Sequence, residues 1–197
     1  MLYTRKGDNG TTKTFGCAGR VSKASLIAEA LGASDEVNSF LGLVKVKSIE
    51  IAKASEMNLK APAHTIFSIS NVHFSEIIHW IQEGLFIVQA ELAGATQTVP
   101  EERVKKVEEY TDAAEKILPP ITTFFISGGT ELAALCDISR TMIRNCERRV
   151  IATVDADEAK VGDYTKAFLN RLSSLLYAMA RLSNHYAGIT ESAPQYK

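Results

Sequence analysis

Three cysteines, one tryptophan and five prolines in 197 residues are few, and each scarcity removes a class of explanation. Cys17, Cys136 and Cys146 form neither a CxxC pair nor the Cys/His spacing of a zinc site. Their odd number suits a reducing compartment better than a secreted disulfide scaffold, so a cytoplasmic location is expected. With 22 Lys+Arg against 23 Asp+Glu the formal net charge is -1, which argues against a general nucleic-acid binder. No apolar run approaches the roughly 20 residues that span a bilayer, and MLYTRKGDNG lacks an apolar h-region, so neither a membrane segment nor a signal peptide is expected. A chain of this length also buries a core without a disulfide or metal staple.

Several catalytic patterns are missing as well. There is no GxxxxGK[ST] phosphate loop after a strand. No Ser/His/Asp or Cys/His order marks a nucleophilic system. Glu76 and His79 make one ExxH, but a di-iron bundle needs that motif twice, and His73 and His185 have no acid three residues earlier. A metal-storage bundle is thus a weak rival, with His79 read as a surface or interhelical residue and Trp80 as packing. No run of alternating strands is visible.

What is present is helical. Gly32-Ala33-Ser34-Asp35-Glu36 has the form of a helix start, with Ser34 as cap and Val37, Phe40, Leu41 and Val44 following at helical spacing. Residues 48–72 read as a mixed connection. HFSEIIHWIQEGLFIVQAELAG spaces Phe74, Ile77, Ile78, Ile81, Leu85, Val88 and Leu92 along a second helix. EERVKKVEEYTDAAEKIL is a third, stopped by Pro119-Pro120. A fourth follows Gly129. A fifth, from about 164 to 186, carries Phe168, Leu172, Leu175, Met179, Leu182 and Tyr186 within about 80° of arc, opposite Asn170, Ser174, Tyr177 and Arg181. We therefore expect one all-α domain over 1–197: an up-and-down five-helix bundle, ferritin-like in type, over about 34–190, preceded by an irregular arm over 1–23.

Two constellations stand out. With Arg140 at the origin of a helical wheel, Arg144 falls near 40°, Glu147 near 340° and Arg148 near 80°, opposite an apolar arc containing Leu135, Ile138, Met142, Ile143, Cys146 and Val150. A solvated face gives the same pattern. Arginine rather than lysine at each place favours phosphate or carboxylate recognition, Glu147 stands where it would hold Arg144, and Gly128-Gly129 allows close backbone approach before the helix. The second constellation is the arm, YTRKGDNGTTKTFGCAGRVSK, with glycines, threonine hydroxyls and the cations Arg5, Lys6, Lys13, Arg20 and Lys23. Those groups suit a nucleotide triphosphate; a basic tail is the other reading.

These blocks resemble, over nearly the whole chain, the PduO-type ATP:cob(I)alamin adenosyltransferases. The YT-x-TGD-x-GxT opening and its downstream lysine are matched by Tyr3, Thr4, Gly7, Asp8, Gly10, Thr12 and Lys23. A GTxDELNS-like segment is matched by Gly32 to Ser39, and IQ-x-x-LF with AELA by Ile81 to Ala93. FxLPGGTELAA with R-x-x-x-RRAER is matched by Phe124 to Ala134 and Arg140 to Arg148, and LNRLSDxLFxxAR by Leu169 to Arg181.

The resemblance implies a homotrimer with active sites between subunits and substrates ATP and cob(I)alamin, Mg²⁺ being carried by the ATP phosphates rather than by a protein metal site. It implies that Thr4, Arg5, Lys6, Gly7, Thr12, Lys13 and Lys23 contact ATP together with Arg144, Asn145, Cys146, Glu147, Arg148 and Asn170, and that Arg144, Glu147 and Asn170 serve catalysis. Phe124 is implied on the corrinoid side, and Asp35 with Arg140 as an ion pair across the subunit interface. A corrinoid reductase and an adenosylcobalamin-dependent enzyme are the implied partners. The chain departs from the pattern at Lys6, Ser127, Asn145 and Ser174; the last two keep open a non-catalytic nucleotide- or corrinoid-binding bundle.

Overall fold

The structure is a computed structural model that describes residues 3–16, 18–57 and 67–196. Its described elements are β1 (Thr11–Thr12), β2 (Val21–Ser22), α1 (Leu26–Met57), β3 (Ser68–Ile69), β4 (Val72–His73), α2 (Phe74–Leu92), α3 (Glu101–Glu115), α4 (Glu131–Asp155) and α5 (Asp163–Tyr186). The all-α bundle is as expected. The four short strands form two antiparallel hairpins, β1–β2 and β3–β4; two-residue strands leave no alternation to read in sequence.

Pairs of residues across the helices fix their directions. Glu29 meets Arg149 and Lys47 meets Glu131, so α1 and α4 are antiparallel. Gln82 donates to the Asn38 carbonyl at 3.0 Å and accepts from Lys45 at 3.0 Å, setting α1 against α2. Asn170 meets Glu147 and Asn184 meets the start of α4, so α4 and α5 are antiparallel too. Glu108 pairs with Arg171, while Glu101 and Tyr164 meet at the starts of α3 and α5, which run in parallel. Up, down, up, down, up is the resulting order. The apolar stripes of α2 and α5 behave as their spacing requires: Phe74, Ile77, Ile78, Ile81, Leu85, Val88 and Leu92 are buried, as are Phe168, Leu172, Leu175, Met179 and Leu182, with Tyr186 half-buried. Trp80 stands edge-on to both Tyr110 and Phe168, a packing role.

The first helix corrects the sequence reading. It begins at Leu26 rather than at Ser34, and continues through residues 48–57, which had looked like connection. Its core stripe, Ile27, Ala30, Ala33, Val37, Leu41 and Val44, runs straight past Gly32. One helical glycine costs about 1 kcal/mol, less than burial of even one large apolar side chain on that stripe returns. The start of the helix is capped from a distance, by Glu158 accepting the Ile27 N–H at 3.1 Å. Ser34 lies fully buried beside Cys146, whose thiol burial pushes up to about 11 despite that hydroxyl. Of the remaining connection, 58–66 lies outside the described residues.

Two close approaches lock one end of the bundle. Gly16 donates its N–H to the Ala93 carbonyl at 2.6 Å, and a side chain there would strike the backbone of Ala93 and Gly94, so the arm is fastened to the end of α2. Glu91, buried at the same end, accepts from Gly162 N at 2.7 Å and from the Thr165 hydroxyl, capping α5 across space.

Gly84 of α2 faces the ring of Phe168, and an added Cβ would lie 2.5 Å from its Cζ. Gly84→Ala is therefore expected to destabilise the fold by about 1–2 kcal/mol despite alanine's better helix propensity, because the fully buried ring has no free space to retreat into. Thermal unfolding followed by circular dichroism measures it, and a Tm at or above wild type contradicts the packing described.

Candidate functional site

The site is built on the antiparallel pair α4–α5 and on the loop between α3 and α4. Gly128 and Gly129 take φ of 127° and 94°, a region closed to ordinary residues. The turn they make presents the Gly128 carbonyl and the Thr130 N–H to Asn184 of α5, at 2.9 Å each. The Thr130 hydroxyl then caps α4 by accepting the Ala133 N–H at 3.1 Å. Upstream of this turn the loop carries Phe124, which is 78% exposed.

Between loop and helices lies an open cleft of about 550 Å³. Its loop wall contains Phe124 and Phe125, and its helix wall contains Arg140, Arg144, Ser173, Ser174 and Tyr177. No carboxylate lines it, so the cleft couples an aromatic wall to arginines, of which Arg144 has no ion-pair partner among the described residues. Tyr177 is shifted upward, first by burial, and stays a neutral phenol. Arg140 lies over the Tyr177 ring at 5.7 Å and is held by Asp137 at 2.9 Å.

The arginine face of α4 divides as its partners dictate. Arg144 and Arg148 are exposed and make no hydrogen bond or ion pair with the described residues. Arg149 is instead tied to Glu29 and reaches Asn145 Oδ1 at 3.5 Å, so the asparagine that stands where the family pattern has a cation braces a neighbouring arginine. Glu147 does not hold Arg144, contrary to the spacing argument. Its Oε1 accepts from Asn170 Nδ2 at 2.9 Å, while Asn170 Oδ1 accepts from Arg171 at 2.6 Å and Arg171 pairs with Glu108 at 3.0 Å. That chain crosses α4, α5 and α3, and a sequence read one helix at a time does not contain it. Cys146 is a second correction: it is fully buried, so its side chain belongs to the core and not to a ligand surface.

The arm is ordered by its own contacts. Arg20 clasps Thr11, through the hydroxyl and the carbonyl at 2.7 Å each, and the Lys23 ammonium folds over Gly7. Thr4, Arg5, Lys6 and Lys13 are exposed, Thr12 is half-buried, and Arg5 covers the Tyr3 ring at 5.4 Å. None of Thr4, Arg5, Lys6, Gly7, Thr12, Lys13 and Lys23 makes a hydrogen bond or ion pair with Arg144, Glu147, Arg148 or Asn170 within the chain. The two constellations are thus separately formed rather than joined. Asp35 is exposed on α1, and Arg140 finds Asp137 in its own helix instead. Glu76 accepts the His73 N–H, His79 lies 3.7 Å from Glu83, and no group of three or more His, Cys, Asp or Glu suited to a metal occurs among the described residues. Nor is any helix among them long and apolar enough to cross a membrane.

Sequence reasoning did not single out Arg181 or Asn184 as functional. Both are buried and both hold the loop. The legible signal was a charged and an amide side chain in the last turns of α5, beside apolar Leu175, Met179 and Leu182; such polar side chains must find partners when buried.

The chain is 34% identical over 192 residues to the corrinoid adenosyltransferase of Bacillus subtilis, covering 95% of this chain and 89% of that one. It is 33% identical over 193 residues to the corrinoid adenosyltransferase PduO of Citrobacter freundii, covering 94% of this chain and 50% of that longer relative. Among solved structures, a variant PduO-type ATP:corrinoid adenosyltransferase from Lactobacillus reuteri, complexed with cobalamin and ATP, superposes with a TM-score of 0.81 at 25% identity, over 99% of this chain and 97% of that one. The cobalamin adenosyltransferase family model matches residues 2–183. Since that match takes in the arm, the loop and both arginine-bearing helices together, the chain belongs to the cobalamin adenosyltransferase family.

Proposed function

We propose that the protein transfers the 5′-deoxyadenosyl group of ATP to the Co(I) of a reduced corrinoid, giving adenosylcobalamin and triphosphate. The observation that carries this reading is the cleft in which exposed Phe124 faces Arg144 across open space, a flat apolar surface set against free guanidinium donors. The electron pair of Co(I) attacks the ribose C5′, a cobalt–carbon bond forms, and the C5′–O bond breaks with its pair leaving on the triphosphate. No protein nucleophile or proton shuttle is required, in keeping with a sequence in which no Ser/His/Asp or Cys/His order marks a nucleophilic system.

The protein's share is positioning and charge. Arg144 and Arg148, free of other partners, take the departing triphosphate through charge-assisted hydrogen bonds. Asn170 and Glu147, fixed by Arg171 and Glu108, orient the nucleotide end of the site. Phe124, exposed at the cleft wall, would lie against the corrinoid and exclude water from it. Mg²⁺ would ride on the phosphate oxygens, adding charge neutralisation there.

The arm and the arginine face complete one site between two subunits of a homotrimer, the arm's Thr4, Arg5, Lys6, Gly7, Thr12, Lys13 and Lys23 closing on ATP held by the neighbouring α4. Support comes from α1, where exposed Asp35 and Ser39 share a face with Leu43 and Val46, apolar side chains 52% and 51% exposed. Asp35 would pair there with Arg140 of a second copy. A cytoplasmic setting, a reductase that delivers Co(I) and an enzyme that consumes adenosylcobalamin complete the reading.

Anaerobic incubation with ATP, Mg²⁺ and chemically reduced cobalamin should yield adenosylcobalamin and triphosphate. ATP binding without either product would instead favour a non-catalytic binding bundle. Removing Mg²⁺ with a chelator should depress turnover and restore it on re-addition; equal rates with and without the metal would remove Mg²⁺ from the scheme. Arg144→Ala should lower kcat/KM by about 100-fold or more, the scale of a lost transition-state donor, with helix content unchanged. Wild-type activity in that variant would sink its assigned role. Sedimentation should give a species of three times the 21.5 kDa chain, and Asp35→Arg should dissociate it.

A further inference from the structure

The loop that carries Phe124 has almost no hold on the core of its own. Phe124 projects into the cleft, and its position is set by the two residues that follow it. Phe125 packs against the guanidinium of Arg181, whose Cζ lies 5.1 Å from the ring centre, and Arg181 also donates to the Pro119 carbonyl at 3.2 Å. One residue further on, the Ile126 N–H donates to the Ser192 carbonyl at 2.8 Å, so the loop pairs with the segment that follows α5. That segment is itself attached to Arg181: Glu191 Oε2 accepts from Arg181 Nε at 2.8 Å, with the two side chains only 4% and 16% exposed.

A buried guanidinium requires a counter-charge, and the only carboxylate paired with this one among the described residues comes from beyond α5. Ile189 strengthens the return by donating its N–H to the Asn184 carbonyl at 2.9 Å. The tail therefore reaches the loop in two ways, by charge through Arg181 to Pro119 and Phe125, and by backbone pairing at Ile126, close behind Phe124.

We propose that Glu191 and Arg181 are positioning residues for the corrinoid: together they form a clasp by which residues 189–192 set the reach of Phe124 into the cleft. The inference rests on the corrinoid reading of that cleft. Neither residue lines the cleft, so each acts only through the loop. The clasp governs the corrinoid half of the site and leaves the triphosphate half, on Arg144 and Arg148, untouched.

The test compares wild type with Glu191→Gln, which removes the counter-charge, and with Arg181→Lys, which keeps the charge pair but loses the fork and the ring contact. Amide hydrogen exchange at residues 119–129 should accelerate by about tenfold or more in either variant, while exchange in α1 and α2 stays as in wild type. In anaerobic turnover the KM for the reduced corrinoid should rise about tenfold with the KM for ATP within about twofold of wild type, since a small displacement of a positioning group acts on the substrate it touches. A general loss of stability does not produce that split. Unchanged exchange over 119–129, or a corrinoid KM that is constant or moves in step with that of ATP, overturns the clasp. Wild type without turnover would defeat the adenosyltransfer reading instead, and the exchange comparison would still decide whether the tail holds the loop. Should Glu191→Gln not fold, Arg181→Lys decides the matter alone.

Discussion

Burial around the last turns of α5 is the constraint on which the site depends. From Leu175 to Asn184 nearly every residue is enclosed, including Arg181, Ser183 and Asn184. Polar groups at that depth must be satisfied or the helix does not pack. Ser183 turns back to the Met179 carbonyl of its own helix. Arg181 and Asn184 have no such local solution and reach the backbone of the α3–α4 loop, at Pro119, Gly128 and Thr130. The requirement to satisfy buried donors and acceptors thus gives an irregular loop a fixed course, and the cleft is the space that this course leaves open.

The same logic divides α4. Its inner face, with Ile143, Cys146 and Val150, is used for packing, so its polar face alone can serve a ligand. Within that face the arginines differ by what surrounds them. Arg140 is drawn to Asp137 and Tyr177, Arg149 to Glu29 and Asn145, and only Arg144 and Arg148 retain every donor for solvent or substrate. A helical wheel gives angles but not neighbours, which is why it grouped these side chains and paired Glu147 with Arg144.

What the sequence makes legible here follows from the range of each signal. The stripes of α2 and α5 are local and strongly periodic, and the helices lie where those stripes predict. The start of α1 is not local. Ser25 accepts the Ala28 N–H at 3.4 Å, but the Ile27 N–H goes to a carboxylate 131 residues away at Glu158, and Gly32 is absorbed by a stripe that continues past it. Phe124 and the double glycine are visible as motifs, yet the reason for the glycines, an asparagine side chain against Gly129, comes from α5. The Glu108–Arg171–Asn170–Glu147 chain is likewise a product of three helices meeting.

The unpaired state of Arg144 and Arg148 has one more consequence. They stand one turn apart, a spacing at which like charges weaken a helix by about 0.2–0.5 kcal/mol, and no acid has been placed to relieve them. A polyphosphate would supply the missing negative charge and turn that repulsion into a bridge. Ligand and fold would then be linked thermodynamically: on the proposed reading, a nucleotide bound there would tighten the helix on which it rests.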